Sequence, residues 1–315
     1  MNITSACIVG ASGFVGRAIA EQLSARGIRV RAITRSRPRA MPLAVLPTVE
    51  VVVADPHDAG ALARCFENMD AVINLVGILH EHRGQSFNAA HAELPRKVVE
   101  ACQSAGVRHL LHMSALGASS GAPSEYLRSK AEGEEQVRRT ASILPVTIFR
   151  PSVIFGADDR FLNTFATLVR WFPVIPLGGA RARLQPIWVE DVARCFGLAL
   201  GKPATFGQVY ELCGPRAFTL EELVRFVAAT LGKRRAVLAL PGPLAMLQAF
   251  CLEHLPGKLM TRDNLRSLGV DGVATQPFPE VFGFQPSPLE AVVPEYLAGS
   301  GARARYDRYR YNAGR

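Results

Sequence analysis

Three glycines at intervals of three, Gly10, Gly13 and Gly16, constrain this chain more than any other feature. They stand in Gly10-Ala11-Ser12-Gly13-Phe14-Val15-Gly16, directly after the apolar run Ala6-Cys7-Ile8-Val9. Val15, Ile19 and Leu23 follow every four residues, which is one face of a helix. A strand, a glycine turn and a helix in that order are the setting of a phosphate-binding turn. Gly10 permits the tight turn, Gly13 lets the backbone approach a pyrophosphate, and Gly16 lets helix and strand pack closely. The helix N-terminus then offers unpaired N–H groups to the anion. Ser12, Phe14 and Val15 share this turn and join the glycines as candidate dinucleotide contacts. Glycines also serve simple turns; here the flanking strand and helix decide for binding.

The rest of the first half keeps the same rhythm. Strands are expected at 29–33, 49–53, 71–75, 108–113 and 145–149. Helical stretches fall at 61–66, from the fourth strand toward 105 with a break at Pro95, and at 124–139. Strands separated by helices require parallel crossovers, so the expected fold is α/β, a doubly wound parallel sheet of Rossmann type. Past about residue 151 the rhythm becomes irregular. A helix at 161–171, a Pro/Gly-rich stretch at 173–179, a strand at 184–189 and a helix at 190–200 are expected. Thr219-Leu-Glu-Glu222 is a capping box that opens a helix reaching about 231. The expected organisation is a dinucleotide-binding domain over 1–155, completed by later strands from about 184–215. A smaller mixed substrate or docking lobe covers 156–301, and a basic tail covers 302–315.

Composition narrows the setting. With 49% hydrophobic and 20% charged residues among 315, the chain is globular. A net charge of +9, nearly all of it from arginine, favours anionic partners without choosing among them. The six cysteines are scattered with no Cys-x-x-Cys pair, which points to reduced thiols, no disulfide framework and a cytoplasmic location. No charged and apolar leader precedes the first strand, so secretion is not expected. The uncharged stretch 236–252 contains Pro241-Gly242-Pro243, which argues against a spanning helix.

The second strand ends in Thr34-Arg35-Ser36-Arg37, where an NAD site usually carries an acid for the ribose hydroxyl. Arg35 there suits a 2′-phosphate, so NADP(H) is the preferred cofactor, with NAD(H) the alternative. The competing reading is an arginine in a solvated loop. Asp55, after the third strand, suits the adenine amino group or, equally, a turn before Pro56. Asn74-Leu75-Val76-Gly77 closes the fourth strand, and Leu75 and Gly77 are placed against the adenosine ribose. Tyr126 and Lys130 are four apart on a helix and share a face. The lysine charge is expected to lower the phenol pKa, making a proton-transfer pair. Ser114 lies twelve residues upstream at a strand end, where a hydroxyl can orient a carbonyl. A Tyr-x-x-x-Lys pair alone is also common by chance on helices.

Gly-x-x-Gly-x-x-Gly, Ser114, Tyr126 and Lys130 together resemble the short-chain dehydrogenase/reductase superfamily in its extended or atypical branch. Tyr126-Leu-Arg-Ser-Lys-Ala-Glu-Gly-Glu134, Arg150-Pro-Ser-Val-Ile-Phe-Gly156, Asp159-Arg-Phe-Leu-Asn163 and Gln185-Pro-Ile-Trp-Val-Glu-Asp191 are more specific. They resemble the NAD(P)H-binding accessory subunit of respiratory complex I and its bacterial relatives, over roughly residues 1–230. The resemblance implies that Gly10, Gly13, Gly16, Arg35 and Asp55 hold the cofactor, and that Pro151 follows the strand beside the nicotinamide. It suggests a quinone- or lipid-related substrate. It also implies an alternative, because that subunit holds its nucleotide as a structural element. The Ser–Tyr spacing is shorter than in the extended sugar-nucleotide epimerases, which argues against nucleotide-sugar chemistry.

His80 and His82 form a His-x-His pair with no third ligand in sight, so a polar loop and no metal are expected. Residues 244–252, followed by His254 and Lys258, read either as an amphipathic helix on a membrane or partner or as a packed helix of the lobe. The Arg- and Tyr-rich tail 302–315 suits anionic lipid, an acidic subunit of a respiratory or quinone complex, or plain solvent. No nucleic acid is expected. Two functions remain: an NADP(H)-dependent oxidoreductase, cytoplasmic or peripheral on the inner membrane face, and an accessory or assembly protein stabilised by its nucleotide.

Overall fold

Ser5–Val9 (β1) is buried along its whole length, as befits the centre of a parallel sheet covered on both faces. The computed structural model describes residues 1–81, 84–254 and 259–298. After β1 come α1 (Phe14–Ala25), β2 (Arg29–Thr34), β3 (Val49–Val53), α2 (Ala59–Phe66), β4 (Ala71–Asn74), α3 (Leu94–Ser104), β5 (His109–Met113), α4 (Glu125–Arg138) and β6 (Val146–Pro151). Next are β7 (Ile154–Phe155), α5 (Phe161–Trp171), β8 (Val174–Leu177), β9 (Arg183–Leu184), β10 (Ile187–Trp188), α6 (Val189–Ala199) and β11 (Gln208–Leu212). The last are β12 (Phe218–Thr219), α7 (Leu220–Thr230), β13 (Ala236–Ala239), α8 (Gly242–Glu253), α9 (Arg262–Ser267) and α10 (Leu289–Leu297).

The chain divides into two compact units. The first comprises Met1–Pro151, Val189–Leu212 and Thr275–Phe284. Its sheet has seven parallel strands in the order β11-β6-β5-β4-β1-β2-β3. The order reverses between β1 and β4, and ligands of such sheets bind beyond the strand ends at that point. Register aligns Val9 with Asn74 and Asn74 with His112, so these strand ends share one row. Leu62 and Phe66 of α2, Val98 and Cys102 of α3, and Val137 of α4 pack with Cys7, Val9 and Leu110 in one core. α1 and α6 pack together, and Arg26 donates to the carbonyl of Gly197.

The break expected at Pro95 is a change of helix type. Ala89–Glu93 is a π-helical turn, and α3 begins at Leu94 with Pro95 in its first turn, where a missing N–H costs nothing. The seventh strand is β11; the stretch 184–189 is not one strand. Pro186 has no N–H to give a ladder, and Gln185 turns its amide to the carbonyl of Gly214 (2.6 Å) and the N–H of Ala274 (2.9 Å). Leu184 therefore ends β9, paired with β12, while Ile187 opens β10, paired with β7. Pro151 is the last residue of β6, opposite Leu212, and does not lie beyond the strand.

The second unit comprises Ser152–Trp188, Cys213–Ala274 and the chain from Gln285 onward. Phe155, Leu162, Val169, Ile175, Leu223 and Val227 form its core. The capping box is present, with Thr219 and Glu222 bonding each other's backbone N–H. Residues 244–252 form a helix, as expected. α8 has no marked polar face, and only Ala245 and Ala249 are buried. Among the described residues no helix is long and apolar enough to cross a membrane. All six cysteines are free, with Cys251 alone exposed. His82, Lys258 and the tail 302–315 lie outside the described residues.

Candidate active site

The glycine turn has the shape its spacing requires. Gly10 sits at φ +90°, and its carbonyl accepts from the N–H of Gly13 (3.1 Å). A Cβ on Gly16 would lie 2.5 Å from the Gly10 oxygen and 2.7 Å from the Ala11 Cα, so only glycine fits where α1 meets the turn. A Cβ on Gly13 would stand 3.2 Å from the same oxygen, tighter than an ordinary contact. No side chain caps α1 at Gly13 and no acid stands in its first turn. Its N-terminal N–H groups and dipole suit a phosphate. Val15 is buried and Phe14 half-buried at the same end. This cradle fits a dinucleotide pyrophosphate.

Ser12 is tied to the end of β2, where Thr34 Oγ1 lies 2.9 Å from its hydroxyl. Thr34 also accepts from the N–H of Ser36, and this turn carries Arg35 out into solvent. With its amide carbonyl toward the guanidinium, Gln85 accepts from Arg35 Nη2 at 2.6 Å. Gln85 comes from the segment after β4. Asp55 is exposed, and its carboxylate accepts from the N–H of His57 (3.0 Å), an Asx turn before Pro56. Leu75 is buried and extends the sheet through its N–H to Val9 (3.0 Å).

The structure brings Gly77, Tyr126 and Lys130 together. A Cβ on Gly77 would lie 3.0 Å from Lys130 Nζ. Lys130 is buried, donates to the Met113 carbonyl (3.1 Å), and burial brings its ammonium down to about 8. Ser114 follows Met113, and its N–H bonds the Phe149 carbonyl (2.7 Å). Tyr126 runs against expectation: burial pushes its phenol up to about 12. The cause is burial, which penalises the charged phenolate.

Two histidines missed in the sequence complete this wall. His91 lies in the π-helical turn, its ring 5.5 Å from the ring of Tyr126 and edge-on to it. Its Nε2 accepts from the N–H of Ile78 (2.9 Å). Ser129 gives its own proton to the Tyr126 carbonyl (2.8 Å), so His91 Nδ1 is the donor in its 2.8 Å contact with Ser129. The ring is thus neutral; burial, then Lys130 and His112, bring it down to about 2. His112 on β5 is also held neutral, brought to about 3 by burial and then by Lys130. Asn74 Oδ1 is taken by the Val76 N–H (3.3 Å), so Asn74 Nδ2 donates to His112 Nδ1 (3.2 Å). His112 therefore carries its proton on Nε2. That atom and Ser114 Oγ are buried with no hydrogen-bond partner.

The α4 motif explains the support of this wall. Gly133 has no room for a side chain, since a Cβ would fall 1.7 Å from the His91 carbonyl oxygen. Glu134, 2% exposed, takes a two-pronged bond from Arg150 (2.8 and 2.7 Å), which pins α4 to β6. Asp159 and Gln185, from the other motifs, cap α5 and brace loops. Among the described residues no cluster of metal-ligating side chains occurs.

Residues 10–162 match a family model described as NAD(P)H-binding. The chain is 32% identical over 299 residues to mouse (Mus musculus) mitochondrial NADH dehydrogenase [ubiquinone] 1 alpha subcomplex subunit 9, covering 90% of this chain and 77% of that one. It is 32% identical over 264 residues to the ceramide reductase of Caulobacter vibrioides, covering 83% and 81%. A dTDP-glucose 4,6-dehydratase from Streptomyces venezuelae superposes with a TM-score of 0.75 at 20% identity, over 95% and 99% of the two chains, which shows the fold alone. On this identity and coverage, with the glycine turn and the Tyr–Lys wall in place, the chain belongs to the extended, NAD(P)H-binding short-chain dehydrogenase/reductase family.

Proposed function

We propose that the protein is an oxidoreductase that uses NADPH to reduce a carbonyl, or runs the reverse reaction, on an apolar, quinone- or lipid-related substrate. The observation that carries this reading is the pair of buried polar atoms, Ser114 Oγ and His112 Nε2, without protein partners beside Lys130. Such atoms are costly unless a ligand or an ordered water satisfies them. Gly10, Ser12, Gly13, Phe14, Val15 and Gly16 hold the pyrophosphate, Leu75 and Gly77 flank the ribose, and Pro151 closes the nicotinamide side. NADPH bound there supplies a hydride. Tyr126 keeps its proton on Oη at neutral pH and gives it to the developing alkoxide. The Lys130 ammonium stabilises the phenolate left behind, and Ser114 Oγ donates to the carbonyl oxygen. Arg35, in place of an acid, favours NADP(H) through the 2′-phosphate, with Gln85 steadying its guanidinium. Asp55 stands at the adenine end.

The relatives favour an apolar substrate: one is named for ubiquinone and another for ceramide. A second reading, an accessory protein that holds NADPH without turnover, is favoured by the length of the match to the NADH dehydrogenase subunit and by the high phenol pKa. Absorbance at 340 nm separates the two. Oxidation of NADPH by long-chain ketones or quinones, falling at least about a hundredfold in Tyr126→Phe, is the expected result. NADPH that co-purifies, survives dialysis and is consumed by no carbonyl or quinone would overturn it.

A further inference from the structure

The second unit carries a broad apolar face that its own core does not use. Trp171 is 78% exposed and Phe172 53%, at the end of α5. Along β8, Val174 and Pro176 point outward while Ile175 and Leu177 point into the core. β13 lies parallel beside it and presents Leu238 in register with Pro176. α8 is fixed to the same strand through Gln248, which donates to the Pro176 carbonyl (2.8 Å) and accepts from the Gly178 N–H (3.2 Å). Its small residues Ala245 and Ala249 face inward, leaving Leu244, Leu247 and Phe250 in solvent. Exposed apolar area of this extent marks a contact surface.

Charge chooses the occupant. Residues 161–184 and 229–252, which build the face, contain no Asp or Glu. They carry Arg170, Lys233 and Arg234 in exposed positions. Arg235 donates to the Val169 carbonyl (2.8 Å), which sets this basic run beside Trp171. Glu253, at the end of α8, is already bonded to Arg262 (2.9 Å). A second copy packed face to face would meet the same positive charge, and so would the arginine-rich tail. At 12 residues α8 is about 18 Å long, too short to span a bilayer but suited to lying in its surface.

We propose that this face seats the protein on an anionic bilayer. Trp171, Phe172 and the α8 leucines enter the headgroup–acyl boundary, and the cations meet lipid phosphates. The inference is independent of catalytic turnover.

The test is co-sedimentation of the full chain with phosphatidylcholine vesicles, with and without about one-third phosphatidylglycerol. Binding at least about tenfold stronger to the anionic vesicles is expected, with a blue shift of Trp171 emission read in a Trp188→Phe background. Leu247→Ser with Phe250→Ser, and separately Lys233→Glu with Arg234→Glu, should each weaken binding about tenfold or more at unchanged melting temperature. A chain ending at residue 301 should still bind. Equal binding to neutral vesicles, wild-type binding by either double variant, or loss of all binding with the tail overturns the proposal. So does a dimer that Phe250→Ser dissociates, or capture of an acidic protein without vesicle binding.

Discussion

In the first unit three histidines and a lysine lie buried; in the second a tryptophan, a phenylalanine and the leucines of one helix lie in water. Both departures run against the ordinary division of polar and apolar groups. The buried groups are almost wholly satisfied: His91 by Ser129 and Ile78, His109 by Thr147 and the Gly201 N–H, Lys130 by Met113. The exceptions, Ser114 Oγ and His112 Nε2, stand together on one strand end. The candidate site in the first unit is therefore held by internal bonds, and changes there should disturb the fold. In the second it rests on side chains that touch little, and changes there should leave the fold alone.

Acid is the strongest way to test the first half of that contrast. Burial lowers His109 to about 4, His112 to about 3 and His91 to about 2, while each titrates near 6.5 in an unfolded chain. The unfolded chain thus binds the extra protons. Stability is full above about pH 6.5 and is lost as pH falls toward the folded values. From pH 7 to 5 each histidine costs about 2 kcal/mol, on the order of 6 kcal/mol together. Asp159 and Glu190, whose carboxyls burial pushes up, oppose part of this. Urea unfolding at the two pH values measures it; an unchanged midpoint would mean these rings are solvated.

Glycine substitutions come next in size. Gly133→Ala forces a methyl into the His91 carbonyl and should cost about 3 kcal/mol, near the top of the usual overpacking range. Gly242→Ala, at the start of α8, meets nothing within 4 Å and should change stability by less than about 0.5 kcal/mol. Comparable losses at both sites, read by thermal melts, would erase the distinction between the units.

The same division explains what could be read from the chain. The glycine turn and strand rhythm are local patterns of three, four and two residues, and the fold followed from them. Tyr126 and Lys130 were legible because a helix sets their spacing. His91 was not, since its role depends on a π-helical turn and a partner 38 residues away. His112 reads as a core residue until Asn74 and the unpaired Nε2 are seen. The phenol pKa was misjudged because spacing shows the lysine but not how deeply the phenol is buried. Residues 184–189 failed as a strand through a side-chain bond to Gly214 that no local pattern encodes. Which of its two readings α8 would take was not legible, because an apolar helix left in solvent contradicts the rule by which helices are read.

Arg35, in the turn after β2, should behave like the exposed face. It is solvent-exposed, so Arg35→Ala should leave stability within about 0.5 kcal/mol of wild type. If it grips the 2′-phosphate, the preference for NADPH over NADH falls at least about tenfold, a charge-assisted bond's worth. Nucleotide titration by fluorescence reads this directly, and an intact preference would return Arg35 to the solvated-loop reading.

The smallest change should come from the second unit's own surface. Leu247 is 58% exposed, so Leu247→Ser removes a side chain that buries little, and thermal stability should move by less than about 0.5 kcal/mol. Leu223, fully buried in the same unit, is the control: Leu223→Ser empties core volume and strands a hydroxyl, at a cost of about 3 kcal/mol or more. A Leu247→Ser loss approaching that of Leu223→Ser would show that α8 is packed in solution. Its apolar side chains would then belong to the fold, not to a contact surface.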